Sequence, residues 1–251
     1  MDLNLKGKNV LVTGGSRGIG KAIATAFVNE GAHVGIVARN IEELNEIKEE
    51  LGVQIYQIDL SEYKNRERLI QEFIADFNSI DILVNNVGAS HRESVINTPV
   101  NIFEETMELN FITAVHLSQL SNKSMIENGE GVIINISSIY GKESGGSPSY
   151  NTSKAALISF TKAFSTEAIK NNIRVVGIAP GATYHPNDEW ERRLKHDPDY
   201  LKKYAQDRIP GGRLGKPEEI GNVAAFLASD KASWIIGTTV TVDGGQSRLN
   251  Y

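Results

Sequence analysis

A chain of 251 residues, 40% hydrophobic and 23% charged, can form one large α/β domain or two small ones, each with a full core. Its net charge of −5 gives no electrostatic basis for binding nucleic acid or an anionic membrane. Cysteine is absent, which excludes disulfides, thiolate nucleophiles and Cys-ligated metals.

The first residues, Met1 to Lys8, contain no apolar stretch long enough for a signal peptide, and no later run approaches membrane-spanning length. A soluble cytoplasmic protein is expected. From there short apolar runs alternate with longer amphipathic segments. Asn9–Thr13 reads as a buried strand, then a glycine turn leads into a helix over about Gly18–Glu30. His33–Ala38 is the second strand and Ile41–Leu51 the second helix; Val53–Ile58 is the third strand, followed by a helix to about Phe77. Asp81–Asn85 precedes one long helix around Phe103–Gln119, and Val132–Ile136 precedes the helix that carries Tyr150. Ile173–Ile178 is the sixth strand, the rhythm fails from Gly181 to Lys216, and a helix (Glu218–Ala228) and a strand (Thr238–Val242) close the chain. Strands joined by helices in this way predict parallel βαβ crossovers, with helices on both faces of the sheet. With no linker, repeat or low-complexity tract, residues 1–251 read as a single doubly wound domain. Ligands of open parallel sheets bind beyond the carboxyl ends of the strands, so functional residues are sought just after each strand.

After the first strand comes Thr13-Gly-Gly-Ser-Arg-Gly-Ile-Gly20. Glycines let backbone approach a pyrophosphate, and the helix start offers free N–H groups and a positive dipole end. The spacing Gly14-xxx-Gly18-x-Gly20 differs from the usual G-x-G-x-x-G fingerprint. An acidic residue at the end of the second strand would bond the ribose 2′-OH of NAD. Ala38-Arg39-Asn40 stands there instead, and Arg17 lies in the turn; two guanidiniums and no carboxylate favour NADP(H).

Tyr150 and Lys154 are four residues apart, on one face if the segment is helical, and follow the pair Ser137-Ser138. A cation beside a phenol stabilises phenolate, which makes a proton donor for a carbonyl oxygen or a base for an alcohol.

Together these motifs, in this order, resemble the short-chain dehydrogenase/reductases over nearly the whole chain, from Gly7 to Gly245. Asn85-Asn-Val-Gly88 is similar to the family's Asn-Asn-Ala-Gly element, and Arg213–Ile220 through Val242–Gly245 resembles its tail. The resemblance implies a Rossmann-like fold with a seven-stranded parallel sheet and a substrate lid over about 182–213. It implies a catalytic tetrad of Asn110, Ser138, Tyr150 and Lys154. Tyr150 would exchange the proton, Ser138 would bond the same substrate oxygen, and Lys154 would favour phenolate and hold the nicotinamide ribose. Asn110 would position a water linking Lys154 to solvent. Cofactor contacts are implied at Gly14, Ser16, Arg17, Gly18, Ile19 and Gly20 in the turn, and at Arg39 and Asn40 after the second strand. Asp59 and Leu60, Asn86 and Gly88, Tyr150 and Lys154, and Pro180, Gly181 and Thr183 complete that set. No metal is implied, and the five histidines (33, 91, 116, 185 and 196) show no ligand spacing.

Two departures from the family pattern matter. The family commonly places 13 positions between serine and tyrosine; here Ser137 lies 13 before Tyr150 and Ser138 lies 12 before it. Ser138 is preferred, because Ser138-Ile-Tyr-Gly141 matches the family's following turn, and Ser137 stays open. His185 replaces the usual threonine after Pro180-Gly181, with Thr183 as its substitute. Tyr184, Trp190, Tyr200 and Tyr204 could wall a pocket or pack down as a lid helix over Asp188–Gln206; His91 and Tyr140 also follow strand ends.

The expected function is NADP(H)-dependent hydride transfer between nicotinamide and a ketone or secondary alcohol of a small molecule, in a homo-oligomer (tetramer or dimer). A 3-oxoacyl-[acyl-carrier-protein] reductase is the alternative; Glu127–Gly131 and Lys170–Ile173, with two acids and one lysine, argue against docking of an acidic carrier. A non-catalytic NADP-binding regulator is the alternative of another class, and the intact tetrad argues against it.

Overall fold

The computed structural model describes residues 1–90, 94–184, 191, 194–195 and 197–250. The expected contributions of His91, His185, Trp190 and His196, and much of the expected lid, lie outside them.

The strands are β1 (Asn9–Thr13), β2 (His33–Ala38), β3 (Gln54–Gln57), β4 (Ile82–Asn85), β5 (Gly131–Ile136), β6 (Ile173–Pro180) and β7 (Thr239–Val242). They form one seven-stranded sheet in the order β3-β2-β1-β4-β5-β6-β7, with every pairing parallel. The order reverses between β1 and β4, which opens a crevice at their carboxyl ends. Among the described residues the helices are α1 (Gly18–Asn29), α2 (Ile41–Leu51), α3 (Tyr63–Phe77), α4 (Val100–Met107), α5 (Thr113–Asn128), α6 (Pro148–Ala168), α7 (Tyr200–Arg208) and α8 (Pro217–Ala228).

Alternation along β1 shows how the sheet divides the core. Val10 and Val12 point into a cluster with Ile23, Phe27 and Ala224 of α1 and α8. Leu11 points the other way, toward Leu69, Phe73 and Leu117 of α3 and α5. Both faces are therefore dry, as a parallel sheet requires.

The long helix expected around Phe103–Gln119 is two helices, α4 and α5, joined by a π-helical stretch over Glu108–Ile112. The Thr113 hydroxyl donates to the Glu108 carbonyl (2.9 Å) and also lies 3.2 Å from the Leu60 carbonyl, compensating for the widened turn. Asn110 sits inside this stretch. Such insertions are frequent at functional positions.

Helices α1 and α8 meet where Gly221 leaves room: a Cβ there would lie 2.6 Å from the Ala22 carbonyl oxygen, which is backbone and cannot rotate away. Gly221→Ala is expected to cost about 1–3 kcal/mol by overpacking. Urea unfolding measures it, and an unchanged midpoint would show that the two helices separate without penalty.

Candidate active site and cofactor cleft

The carboxyl ends of the strands open into a cleft of about 1520 Å³. Each of the expected cofactor residues, from Gly14 at one end to Thr183 at the other, lines it. Asn110 does not.

At the first end, helix α1 begins at Gly18 without a side-chain cap, so the N–H groups of its first turn are left for a ligand. The turn before it is tightly wound. Gly14 has φ +64°, and a Cβ on Gly20 would lie 2.0 Å from the Gly14 carbonyl oxygen, so neither place accepts a side chain. Asn86 holds the turn from below, its amide donating to the carbonyls of Thr13 (2.9 Å) and Gly14 (3.1 Å). Asn40 spends its side chain as the N-cap of α2, accepting from the N–H groups of Glu42 and Glu43. Asp59 accepts from the N–H of Ser61 (3.0 Å), which, with a smaller contribution from Arg39, lowers its pKa.

At the other end, Tyr150 and Lys154 project from α6 toward the carboxyl end of β5. Lys154 is buried, and its Nζ donates to the Ile136 carbonyl (2.8 Å), which uses one of its three protons. Gly88 closes on it: a Cβ there would stand 3.4 Å from Lys154 Nζ and 3.2 Å from Asn110 Oδ1. The two serines separate as neighbours at a strand end do. Ser137 Oγ donates to the Lys154 carbonyl (3.0 Å) on the helix side. Ser138 Oγ accepts from the N–H of Tyr140 (3.1 Å), and its interaction with the Tyr150 hydroxyl favours the ionised phenol.

Two expectations need correction. The phenol was expected to ionise more easily beside its cation. Burial instead raises the Tyr150 pKa, only partly offset by the Ser138 hydrogen bond. The ammonium lies 5.7 Å from the ring centroid and is itself destabilised, with burial lowering Lys154 to about 8. Asn110, 1% exposed, has its side chain hydrogen-bonded at both ends: Oδ1 accepts from the Ala89 N–H (2.8 Å), and Nδ2 donates to the Ala89 carbonyl (2.9 Å) and Ser153 Oγ (3.0 Å). These bonds fix the loop after β4 to α6. Finally, 127–131 and 170–173 precede β5 and β6, at the end of the sheet opposite the cleft. There Glu130 pairs with Lys8 (2.6 Å), so those charges say nothing about docking at the site.

Thr183 bridges to Gly215 and lines the cleft, and α7 supplies Tyr200, Tyr204 and Arg208 to its wall. The helix expected over Asp188–Gln206 is described as α7, Tyr200–Arg208; Asp188–Trp190 lie outside the described residues. Sequence reading missed Glu43, Ser90, Ser94, Ser147 and Arg208. Glu43 and Ser90 follow strand ends and could have been found by the same rule, whereas Ser147 and Arg208 arrive through loop and helix placement that no local pattern carries.

Lys154 titrates at about 8 in the folded protein against 10.5 in the unfolded chain, so between these values the unfolded state binds more protons and stability rises with pH. Compared with Lys154→Met, the wild type should gain up to about 1.4 kcal/mol per pH unit from pH ~8 to ~10. Urea unfolding across that range checks this; a constant difference between the two proteins would show an unperturbed ammonium.

A family model described as enoyl-(acyl carrier protein) reductase matches residues 14–247. A 3-oxoacyl-[acyl-carrier-protein] reductase of Chlamydia trachomatis is 36% identical over 250 residues, covering 97% of this chain and 98% of that protein. A 3α-hydroxysteroid dehydrogenase of Mediterraneibacter gnavus is 36% identical over 254 residues, with 97% and 98% covered. The crystal structure of L-sorbose reductase from Gluconobacter frateurii, complexed with NADPH and L-sorbose, superposes with a TM-score of 0.93 at 34% identity, covering 99% of this chain and 100% of that one. On this fold, this order of motifs and relatives matched end to end, the chain belongs to the short-chain dehydrogenase/reductase family.

Proposed function

We propose that this protein is an NADP(H)-dependent oxidoreductase that transfers hydride between nicotinamide and a ketone or secondary alcohol of a small molecule. The observation that carries it is Ser138, Tyr150 and a buried Lys154 brought together at one end of a cleft whose other end holds an uncapped helix start with Arg17 and Arg39. The residues fit a dinucleotide. Glycines stand where a Cβ would strike Gly14 or crowd Lys154 and Asn110, so backbone and ammonium are open to a ligand at both places.

Bound there, the cofactor would supply or accept the hydride. Tyr150 gives its proton to the carbonyl oxygen during reduction and takes it back from the alcohol during oxidation. Ser138, which accepts from the N–H of Tyr140, would turn its one proton to the oxygen that gains negative charge. Lys154, still cationic below about pH 8, opposes the charge left on the phenolate and has donors free for the cofactor's ribose. Asn110 acts as a positioning residue, setting the Ala89 backbone and, through Ser153, helix α6.

The 3-oxoacyl-[acyl-carrier-protein] reductase reading gains from the chlamydial relative, and Arg208 offers a cation at the cleft wall. Preference for a carrier-bound over a free thioester would establish it. A cytoplasmic homo-oligomer, tetramer or dimer, belongs to the same proposal. Among the described residues no helix is long and apolar enough to cross a membrane, and Trp234, 94% exposed, is a large apolar side chain that association with another copy could bury.

A screen of ketones and alcohols against NADPH and NADP⁺, with NADH as control, is expected to show turnover with the phosphorylated cofactor; clear preference for NADH would overturn the reading of Arg17 and Arg39. With a turned-over ketone, Tyr150→Phe should lower kcat by about 10²–10⁴-fold and Ser138→Ala by about 10²-fold. Ser137→Ala should stay within about tenfold, since its hydroxyl serves the helix. Near-normal turnover by Ser138→Ala would transfer the role to Ser137.

A further inference from the structure

We propose that Glu43 competes with the cofactor's 2′-phosphate for Ser16 and Arg17, and so sets how strongly this protein prefers NADP(H) over NAD(H). The inference rests on the NADP(H) reading above. Glu43 lies in the first turn of α2, and its side chain reaches back across the cleft to the glycine turn. Its Oε2 accepts from Ser16 Oγ (2.7 Å), and its Oε1 lies 4.0 Å from an Arg17 guanidinium nitrogen. Ser16, Arg17, Arg39 and Asn40 line the same corner, and Arg39 forms no ion pair within 4 Å among the described residues.

The donors that suit a phosphate are thus partly satisfied by a carboxylate of the same chain. A phosphate brings about two negative charges to that corner, and the two anions cannot share the guanidinium without repulsion. The Arg17–Glu43 pair is 63% and 33% exposed, so it is weak enough to be broken, yet each phosphorylated cofactor must break it or bind beside it. An unphosphorylated ribose makes no such demand, since its hydroxyls can donate to the carboxylate. Glu43 therefore penalises one cofactor and not the other, although no acidic residue stands at the end of β2 itself.

The test uses 2′,5′-ADP and 5′-AMP, which differ at the 2′ position alone and involve no hydride chemistry, titrated calorimetrically into wild type, Glu43→Gln and Glu43→Ala. Both variants should bind 2′,5′-ADP about fivefold or more tightly than wild type at low salt, and 5′-AMP no more tightly. Raising the salt to about 1 M should shrink the gain, because the difference between carboxylate and amide is one of charge. Equal or weaker binding of 2′,5′-ADP by both variants would overturn the proposal and make Glu43 a support for Ser16 and Arg17; an equal gain for both nucleotides would overturn it as well. Failure of the NADP(H) reading shows elsewhere, as wild type binding 5′-AMP more tightly than 2′,5′-ADP.

Discussion

The Thr13 hydroxyl joins the two strands between which the cleft opens. It donates to the Val84 carbonyl (3.2 Å) and accepts from the N–H groups of Asn86 (2.8 Å) and Val87 (3.1 Å), while the Asn86 amide returns two hydrogen bonds to Thr13 and Gly14. β1 and β4 are neighbours whose following chains diverge to opposite sides of the sheet. Without a tie at that point, the loops leaving them would carry backbone donors with no partner. The tie is buried, with Thr13 fully inaccessible, so it acts at full strength and fixes the distance between the glycine turn and the Asn85-Asn-Val-Gly88 loop. That distance decides whether one ligand can touch both.

Polar contacts carry this placement onward to Tyr150 and Lys154. Asn85 donates to Asn135 (2.9 Å) and Ser118 (3.1 Å), and Asn135 donates to Thr161 (2.9 Å), linking β4 and β5 to α5 and α6 through the core. Ser149 and Ser153 of α6 meet Thr106 of α4 and Asn110 of the π-helical stretch. Apolar packing alone would leave α6 free to rotate or slide by small steps at little cost. Directional bonds in a dry interior do not, because each slip strands a buried donor or acceptor. Tyr150 and Lys154 thus inherit their position from buried serines and asparagines behind them.

The sequence made the skeleton legible because its signals are local. Apolar runs of strand length and the glycine turn placed the strands and the start of α1, and the residues that the family resemblance implied for a cofactor line the cleft at the carboxyl ends of those strands. What it hid depends on contacts distant in the chain. The π-helical stretch needs Thr113 to reach Leu60 and the buried Arg66 to join the Leu60 and Ser61 carbonyls to Glu108, none of which periodicity reveals. Adjacency to β5 and β6 in the sequence does not tell which end of the sheet the charges at 127–131 and 170–173 occupy; both stretches lead into their strands and so lie away from the cleft. The tyrosine–lysine spacing correctly suggested a pair, but spacing says nothing of burial, and burial is the largest influence on both pKa values.

That burial sets the protonation state in which the pair rests. It raises the phenol and lowers the ammonium, so each group alone is driven toward its neutral form. With Lys154 near 8, the resting pair at neutral pH is a neutral phenol beside an ammonium, which is an acid awaiting an acceptor. Making a phenolate first, as alcohol oxidation requires, would put a new charge in a dry site with only the Ser138 hydrogen bond and a cation beyond the ring to support it. Giving the proton to an oxygen that is already gaining charge needs no such advance ionisation, and the phenolate then forms as the substrate's charge is neutralised. A raised pKa makes the phenol the weaker acid and its phenolate the stronger base, so the neutral resting pair sets no direction for the transfer by itself.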